Sequence, residues 1–329
     1  MNVLITDVRQ PLSEGDEQIV RLLAAQCGLE EGTIRSARIV RRSLDARKKQ
    51  EIHFLLNVAA DLDDAAAKRL LSRGERRFSL YEEPEVLSFT RGAERPKGRI
   101  AVVGLGPAGL FAALLLAQNG CRPLVVERGE AIAARARSVE RYWSGGALDE
   151  ESNVLFGEGG AGTFSDGKLT SRSKDARGEQ VLETFVRFGA PEEIAILAKP
   201  HIGTDRLRGV VSAMRREIER LGGEVRFSTR LDALETKNGA VGRITLLHDG
   251  ERETLDCAAL VLAIGQGARD TYQMLLDAGV AMAKKPFAVG LRIEHEQSVI
   301  DRAQYGAFAG HPRLGAAEYR LTAESGDRG

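Results

Sequence analysis

The chain has 329 residues, enough for about two domains, and 43% of them are hydrophobic, enough for a sizeable core. Lys plus Arg and Asp plus Glu both number 47, so no net field steers the molecule toward nucleic acid or an anionic membrane. Cys27, Cys121 and Cys257 are odd in number and far apart, which argues against a disulfide framework and fits reduced thiols in a cytoplasmic protein.

The opening MNVLITDVRQPL has no basic stretch followed by a long apolar run, so no secretory signal is read. No apolar run reaches the ~18 residues of a membrane span. Residues 1–95 read as a small α/β module. Asn2 to Val8 is expected as an edge strand, ended by Pro11. Ser13 is expected to cap a helix running to Cys27, with Glu14, Asp16 and Glu17 at its positive end and Ile19, Leu22 and Leu23 as its apolar face. Ser36 to Leu44 and Glu51 to Val58 follow as strands, then Asp63 to Ser72 as a helix. Arg35, Arg38, Arg41, Arg42, Arg47, Lys48 and Lys49 form a basic cluster. It lacks interleaved aromatic residues for base stacking, so a solvated face is preferred to an RNA-binding patch. Glu82 to Lys97, with two prolines and scattered charge, reads as a linker.

The second domain is expected over 96–290. Ile100 to Val103 is an unbroken apolar strand, as in a parallel sheet covered on both faces. Gly104-x-Gly106-x-x-Gly109 follows at once. Gly104 permits the tight turn, Gly106 lets the backbone approach a pyrophosphate, and Gly109 lets the helix pack against the strand. Pro107 suits the first helical position, Ala108 follows it, and the helix N-terminus offers free N–H groups to a phosphate. The next strand, Pro123 to Val126, ends in Glu127, 18 positions after Gly109. That is the spacing of an acid accepting hydrogen bonds from a ribose. These residues point to a dinucleotide and leave NAD and FAD both open.

The stretch SNVLFGEGGAGTFSDGKLTSR, residues 152 to 172, is too glycine-rich for a regular helix. It reads as a loop bringing backbone close to a ligand, with Gly159, Gly160, Gly162, Thr163, Ser165 and Lys168 as candidate cofactor contacts. An ordinary NAD-binding domain would place a plain crossover here. Further on, Asp205 to Leu221 reads as a helix, Gly223 to Ser228 and Thr229 to Leu234 as extended segments, Val241 to Leu247 and Glu251 to Leu255 as a hairpin through Asp249-Gly250, Val261 to Ala263 as a returning strand, and Ala288 to Glu294 as another strand.

GLGPAGLFAALLLAQNG, VVERG and FGEGGAGTFSDGKL together resemble a family of bacterial FAD-dependent dehydrogenases within the glutathione-reductase-like flavoproteins. The resemblance continues through ALVLAIGQGARDTYQMLLDAGV and KPFAVGLRIEH, covering about 98 to 296. It implies an α/β fold, a Rossmann-like FAD-binding domain of the glutathione-reductase type with a small N-terminal α/β module. Gly104, Gly106, Ala108 and Gly109 would hold the FAD pyrophosphate, Glu127 the ribose, and Arg128 would lie beside the adenine. Leu231 would touch the adenine through its backbone, and Ala263, Ile264 and Gly265 would pass the pyrophosphate. Ser165, Asp166 and Lys168 are the candidates near the flavin, and Lys168 could stabilise the reduced anion. No catalytic proton donor is named. A small-molecule substrate is expected, its identity unread, with NAD(P)H a candidate electron donor. Alternatives are an NAD-dependent dehydrogenase, an RNA-associated flavoprotein and an inactive fragment.

None of the five histidines has a partner at metal or triad spacing, and no metal site is expected. Arg135 and Arg137 could reach a phosphate or an acidic substrate, but the preferred reading is that they solvate a helix face; Trp143 is read as packing, with a pocket lining as the alternative. Related flavoproteins continue through a substrate domain and return to the FAD domain. Residues 291–329 are therefore expected to begin an incomplete substrate domain of a truncated chain.

Overall fold

The structure is a computed structural model that describes residues 1–84, 92–93, 96, 98–165, 167–169, 175, 177–287, 289–291 and 293–319. Two compact units emerge. One comprises Met1–Glu85, Ala195–Lys199 and Pro286–Gly329; the other comprises Val86–Ile194 and Pro200–Lys285. Most of the expected linker lies outside the described residues, as do Asp166 and most of the C-terminal tail.

The first unit begins β1 (Asn2–Pro11), α1 (Ile19–Cys27), β2 (Ile34–Asp45), β3 (His53–Leu62), α2 (Asp64–Leu71) and β4 (Phe78–Leu80). Its sheet is antiparallel, in the order β2-β3-β1-β4. Alternation along β3 sends Phe54, Leu56, Val58, Ala60 and Leu62 inward, as the period of a strand requires. Leu22, Leu23 and Cys27 of α1 and Ala67 and Leu70 of α2 close this core.

Two expectations are corrected here. β1 lies inside the sheet, because the three-residue strand β4 pairs with its second side. The first helix begins at Ile19, not at Ser13, after a single turn of 3-10 helix over Asp16–Gln18. Asp16 serves side chains instead of the helix end: Gln10 Nε2 donates to it at 3.1 Å, and Arg42 also donates to it. Much of the basic cluster is paired with acids nearby: Arg35 with Asp61, Arg38 with Glu83, Arg42 with Asp16, Arg47 with Asp45, and Lys48 with Glu51.

The second unit contains β5 (Arg99–Val103), α3 (Pro107–Gln118), β6 (Leu124–Val126), α4 (Ile132–Trp143), α5 (Arg177–Arg187), α6 (Thr204–Arg220), β7 (Glu224–Arg226), β8 (Thr229–Lys237), β9 (Ala240–His248), β10 (Glu251–Leu262) and α7 (Arg269–Asp277). The strand order is β7-β6-β5-β10-β9-β8. β7, β6, β5 and the end of β10 run parallel. The pleat divides the two faces. Val102 and Val125 point to the helices, packing with Leu110 and Leu114 of α3 and Val210, Met214 and Ile218 of α6. Ala101, Val103, Leu124 and Val126 point the other way, onto Leu231, Ile244 and Leu246 of the β8–β9–β10 meander.

β10 is one strand of 12 residues, where two separate strands were expected. Glu251 to Asp256 pair antiparallel with β9, and Cys257 to Leu262 pair parallel with β5. An irregularity between Cys257 and Ala259 marks the change of partner, as a bulge does when it re-aims a strand.

The chain then supplies α8 (Gln297–Tyr305), whose Tyr305 enters the core of the first unit with Ala317. Of residues 291–329, Ile300, Tyr305, Phe308, Leu314 and Ala317 thus pack with the N-terminal module. Of the strand expected over Ala288 to Glu294, the described residues form none. Val289, Leu291 and Ile293 are 83%, 101% and 61% exposed. Alternating apolar residues form a strand only beside a ladder partner, and among the described residues none pairs here.

Arg313 ties this C-terminal part down. Its guanidinium donates to the carbonyls of Pro11, Leu12 and Glu14 and to Gln10 Oε1, and it lies over the Phe54 ring. Gln10 is fully buried. Arg313→Met keeps the apolar bulk but takes the donor from Leu12 O, Glu14 O and Gln10 Oε1, while Pro11 O keeps Glu14 N–H. It is expected to destabilise the unit by about 2 kcal/mol. Amide hydrogen exchange should then quicken over 297–317 and the Pro11–Glu14 turn, and unchanged protection there would refute the tie.

Candidate dinucleotide-binding site

The glycine turn at the end of β5 is built by close backbone contacts. Gly104 has φ +96° and its N–H donates to Val126 O at 2.8 Å. A Cβ on Gly104 would lie 2.4 Å from Ala263 O, and one on Gly109 only 1.8 Å from Gly104 O. Both would collide with main chain. Pro107 opens α3, and Gly106 precedes it in extended conformation. The second glycine loop touches this turn: a Cβ on Gly160 would lie 3.1 Å from Gly106 Cα, and Gly159 N–H donates to Leu105 O at 2.8 Å. Two glycine-rich backbones thus meet at the α3 N-terminus, where free N–H groups gather.

A cleft of about 610 Å³ opens there, within the range of small-molecule and cofactor pockets. Gly104, Gly106, Pro107, Ala108, Glu127, Arg128, Gly160, Gly162, Leu231, Ala263, Ile264 and Gly265 all line it. Gly109 stands behind its wall, holding α3 against the turn. Thr163 is fully buried, with no hydrogen-bond partner for Oγ1. Gly159, Ser165 and Lys168 line a separate, smaller cavity, and Ser165 Oγ donates to Gly162 O at 2.9 Å.

Glu127 is 4% exposed, and its carboxylate organises the cleft. Oε1 accepts from Gly129 N–H at 3.0 Å and Gly157 N–H at 2.9 Å; Oε2 accepts from Leu105 N–H at 2.7 Å. A carboxylate has about four acceptor positions. One is left, on Oε2, and Glu127 lines the cleft, so that position is available to a hydroxyl donor. Glu127→Gln would turn an amide NH₂ toward backbone N–H groups. Its dinucleotide affinity is expected to fall roughly tenfold to hundredfold, the worth of one hydrogen bond to a charged group. Equilibrium titration of the apoprotein measures this, and an unchanged dissociation constant would remove Glu127 from the site.

Arg128 closes one end. Nε donates to Glu151 at 2.7 Å, and its two terminal nitrogens donate to Asp270 at 2.9 and 3.0 Å. Its guanidinium lies 4.3 Å from the centre of the Phe156 ring. Arg230 also donates to Glu151, at 2.8 Å. Burial pushes the Asp270 carboxyl up, but hydrogen bonding and charge from Arg128 outweigh it and hold its pKa below the ordinary value. The bonus is therefore full above the unfolded carboxylate pKa near 4 and lost as pH falls through the lower folded pKa. Asp270→Asn is expected to destabilise by under about 1 kcal/mol at pH 7, since the pair is partly exposed. Denaturant melts should show that gap closing below pH 4; a gap constant with pH would contradict the linkage.

Arg135 departs furthest from the sequence reading. It does not solvate a helix face but is fully buried. Nε donates to Asn153 O, and the terminal nitrogens donate to Val154, Gly157 and Glu158 carbonyls. Burial pulls its pKa down to about 10, against the pull of Glu127 and Glu158, so it is charged at neutral pH. The signal was legible: Ile132, Arg135 and Val139 share one helical face. Glu158 is buried too, accepting from Ile132 N–H at 2.7 Å and Arg215 Nε at 2.8 Å. Trp143, expected to pack, is 62% exposed, its ring meeting that of Phe164 edge to face. Among the described residues no cluster of His, Cys, Asp and Glu could hold a metal, and no helix is long and apolar enough to cross a membrane.

Residues 98–275 match the family profile described as pyridine nucleotide-disulphide oxidoreductase. The chain belongs to that family. The chain carries two further matches, to an FAD-dependent protein C-terminal domain over 286–329 and to a domain of unknown function over 2–61. An uncharacterized protein of Clostridium beijerinckii is 44% identical over 328 residues, 99% of this chain; the chain spans 60% of that protein's length. Aklavinone 12-hydroxylase of Streptomyces peucetius subsp. caesius is 30% identical over 180 residues, 52% of this chain and 36% of that protein. A solved structure of Thermovibrio ammonificans THI4 is similar at 17% identity and TM-score 0.38, over 56% of this chain and 64% of that one. The glutathione-reductase-like, Rossmann-type α/β fold is that of the family, and FAD is the cofactor of this architecture. The cleft suits it: two glycine backbones at a helix N-terminus for a pyrophosphate, and a buried carboxylate with one free acceptor position for a ribose.

Proposed function

We propose that the whole protein is an FAD-dependent oxidoreductase acting on a small-molecule substrate, with NAD(P)H as electron donor. The observation that carries this reading is the meeting of the Gly104–Gly109 turn and the Gly157–Gly162 loop over Glu127. Bound FAD would supply two-electron transfer. This chain's residues bind and orient it. The α3 N-terminus faces the pyrophosphate, Glu127 takes a ribose hydroxyl, and Leu231 and Arg128 stand at the adenosine end. Ala263, Ile264 and Gly265 close the far wall of the cleft. Lys168 and Ser165 are proposed beyond the pyrophosphate, toward the flavin. The three free cysteines support a cytoplasmic location.

The test is an absorbance spectrum of the purified protein, followed by denaturation. Two flavin bands with release of FAD, bleached anaerobically by NADH or NADPH, are expected. Release of FMN, or a colourless protein that binds NADH but takes up no added FAD, would overturn the reading.

A further inference from the structure

We infer that the second cavity of this unit receives a single aromatic ring, the apolar part of the substrate. The inference deepens the flavoenzyme reading and rests on it for the reaction, but not for the cavity. The cavity measures about 160 Å³. Its floor is Leu110, Phe111, Leu169, Phe185, Leu207 and Val211, from α3, α5, α6 and the end of the glycine loop. Its rim is exposed and polar, with Gly162, Ser165 and Lys168. Pro107 and Gly162 line both this cavity and the cofactor cleft. A ring seated here therefore sits against the same wall as the cofactor.

The size and lining choose the ligand. An apolar cavity of roughly 150 Å³ stays dry and accepts a benzene-sized molecule. Phe111 and Phe185 meet edge to face, with centroids 5.4 Å apart and planes at 73°, the geometry into which a further aromatic ring packs. The space is also held open. Gly159 and Gly167 have φ +84° and +72°, and a Cβ on Gly167 would lie 2.8 Å from Gly203 N. The main chain is pinned there as well, with Ile202 N–H donating to Gly167 O at 3.0 Å and Leu169 N–H to Pro200 O at 2.9 Å. Interiors close-pack where nothing else fills them, so a void braced in this way fits a site better than a packing fault. The polar rim leaves one edge of the ring for a substituent that stays in water.

The probe is p-cresol, titrated into the protein with and without FAD, followed by methyl NMR of Leu110, Leu207 and Val211. Saturable shifts of these methyl groups are expected in both forms. The substitution Val211→Phe should weaken p-cresol binding at least tenfold while flavin absorbance persists. Leu169→Phe, on the same floor but at a half-buried position where the added bulk meets less packed side chain, is expected to do the same. Absence of saturable shifts, or shifts that survive both substitutions, would overturn the assignment. Failure to take up FAD would defeat the flavoenzyme reading instead, because the titration without FAD still reports on the cavity.

Discussion

A Gly109→Ala protein is expected to fold its N-terminal unit and to bind FAD at least a hundredfold more weakly. The added Cβ would stand 1.8 Å from Gly104 O and 3.3 Å from Ala263 Cβ. Neither the turn carbonyl nor the β5 end can yield, because β5 is fixed between β6 and β10. α3 must therefore tilt away, taking its N-terminus from the position proposed for the pyrophosphate. Overpacking of this sort costs about 1–3 kcal/mol in stability. The hundredfold loss of affinity corresponds to about 2.7 kcal/mol. The control is Gly209→Ala in α6, where a Cβ meets nothing within 4 Å; a helical alanine there should be neutral or stabilising by up to about 1 kcal/mol. Flavin fluorescence titration distinguishes the two. Equal FAD affinity in both variants would mean that the turn does not hold the cofactor.

Arg135→Met is expected to lower stability by roughly 3–5 kcal/mol, the usual result of removing one side of a buried charged network. Methionine fills similar space, so packing loss is not the main term. The carbonyls of Asn153, Val154 and Glu158 lose their donor, Gly157 O keeps only Gly160 N–H, and the buried carboxylates of Glu127 and Glu158 lose a nearby cation. The loop that supplies Gly157 N–H to Glu127 should loosen with it, so FAD affinity should fall along with the melting temperature. Lysine can replace the charge but not the fan of donors; Arg135→Lys should recover only part of either loss. Arg137→Met, on the same helix, is the control. Full stability in Arg135→Met by denaturant unfolding would show that the loop is held by its glycines alone.

The parallel sheet, the glycine turn and the carboxylate at Glu127 were legible because each leaves a local pattern: an apolar run, a spacing, an acid at a strand end. The N-terminal strands and α2 were legible from alternation and from Asp63, whose side chain accepts from Ala66 N–H at 2.7 Å. What was missed depends on partners distant in sequence. β4 is three residues long and becomes a strand only beside β1. Asp16 looked like a helix-end residue and is drawn off by Arg42 and Gln10. Arg128, Glu151, Arg230 and Asp270 are spread over more than a hundred positions and meet at one end of the cleft. Arg135 looked like surface because arginine usually is, although its helical position was apolar. The Ala288–Glu294 alternation was read as a strand, yet no described neighbour offers it a ladder.

The unbroken run of β10 has a consequence for how this architecture can be rebuilt. A segment spliced between two strands can be exchanged as a cassette if both ends leave through loops. The meander leaves only one end through a loop, before β8; its other end is the first half of a strand whose second half is bonded to β5. There is no joint between them except the irregularity near Cys257. A graft from another protein would have to match twist and register at that point, not merely chain ends. Force or displacement applied to the hairpin would likewise pass along one stiff backbone directly to Ala263, Ile264 and Gly265.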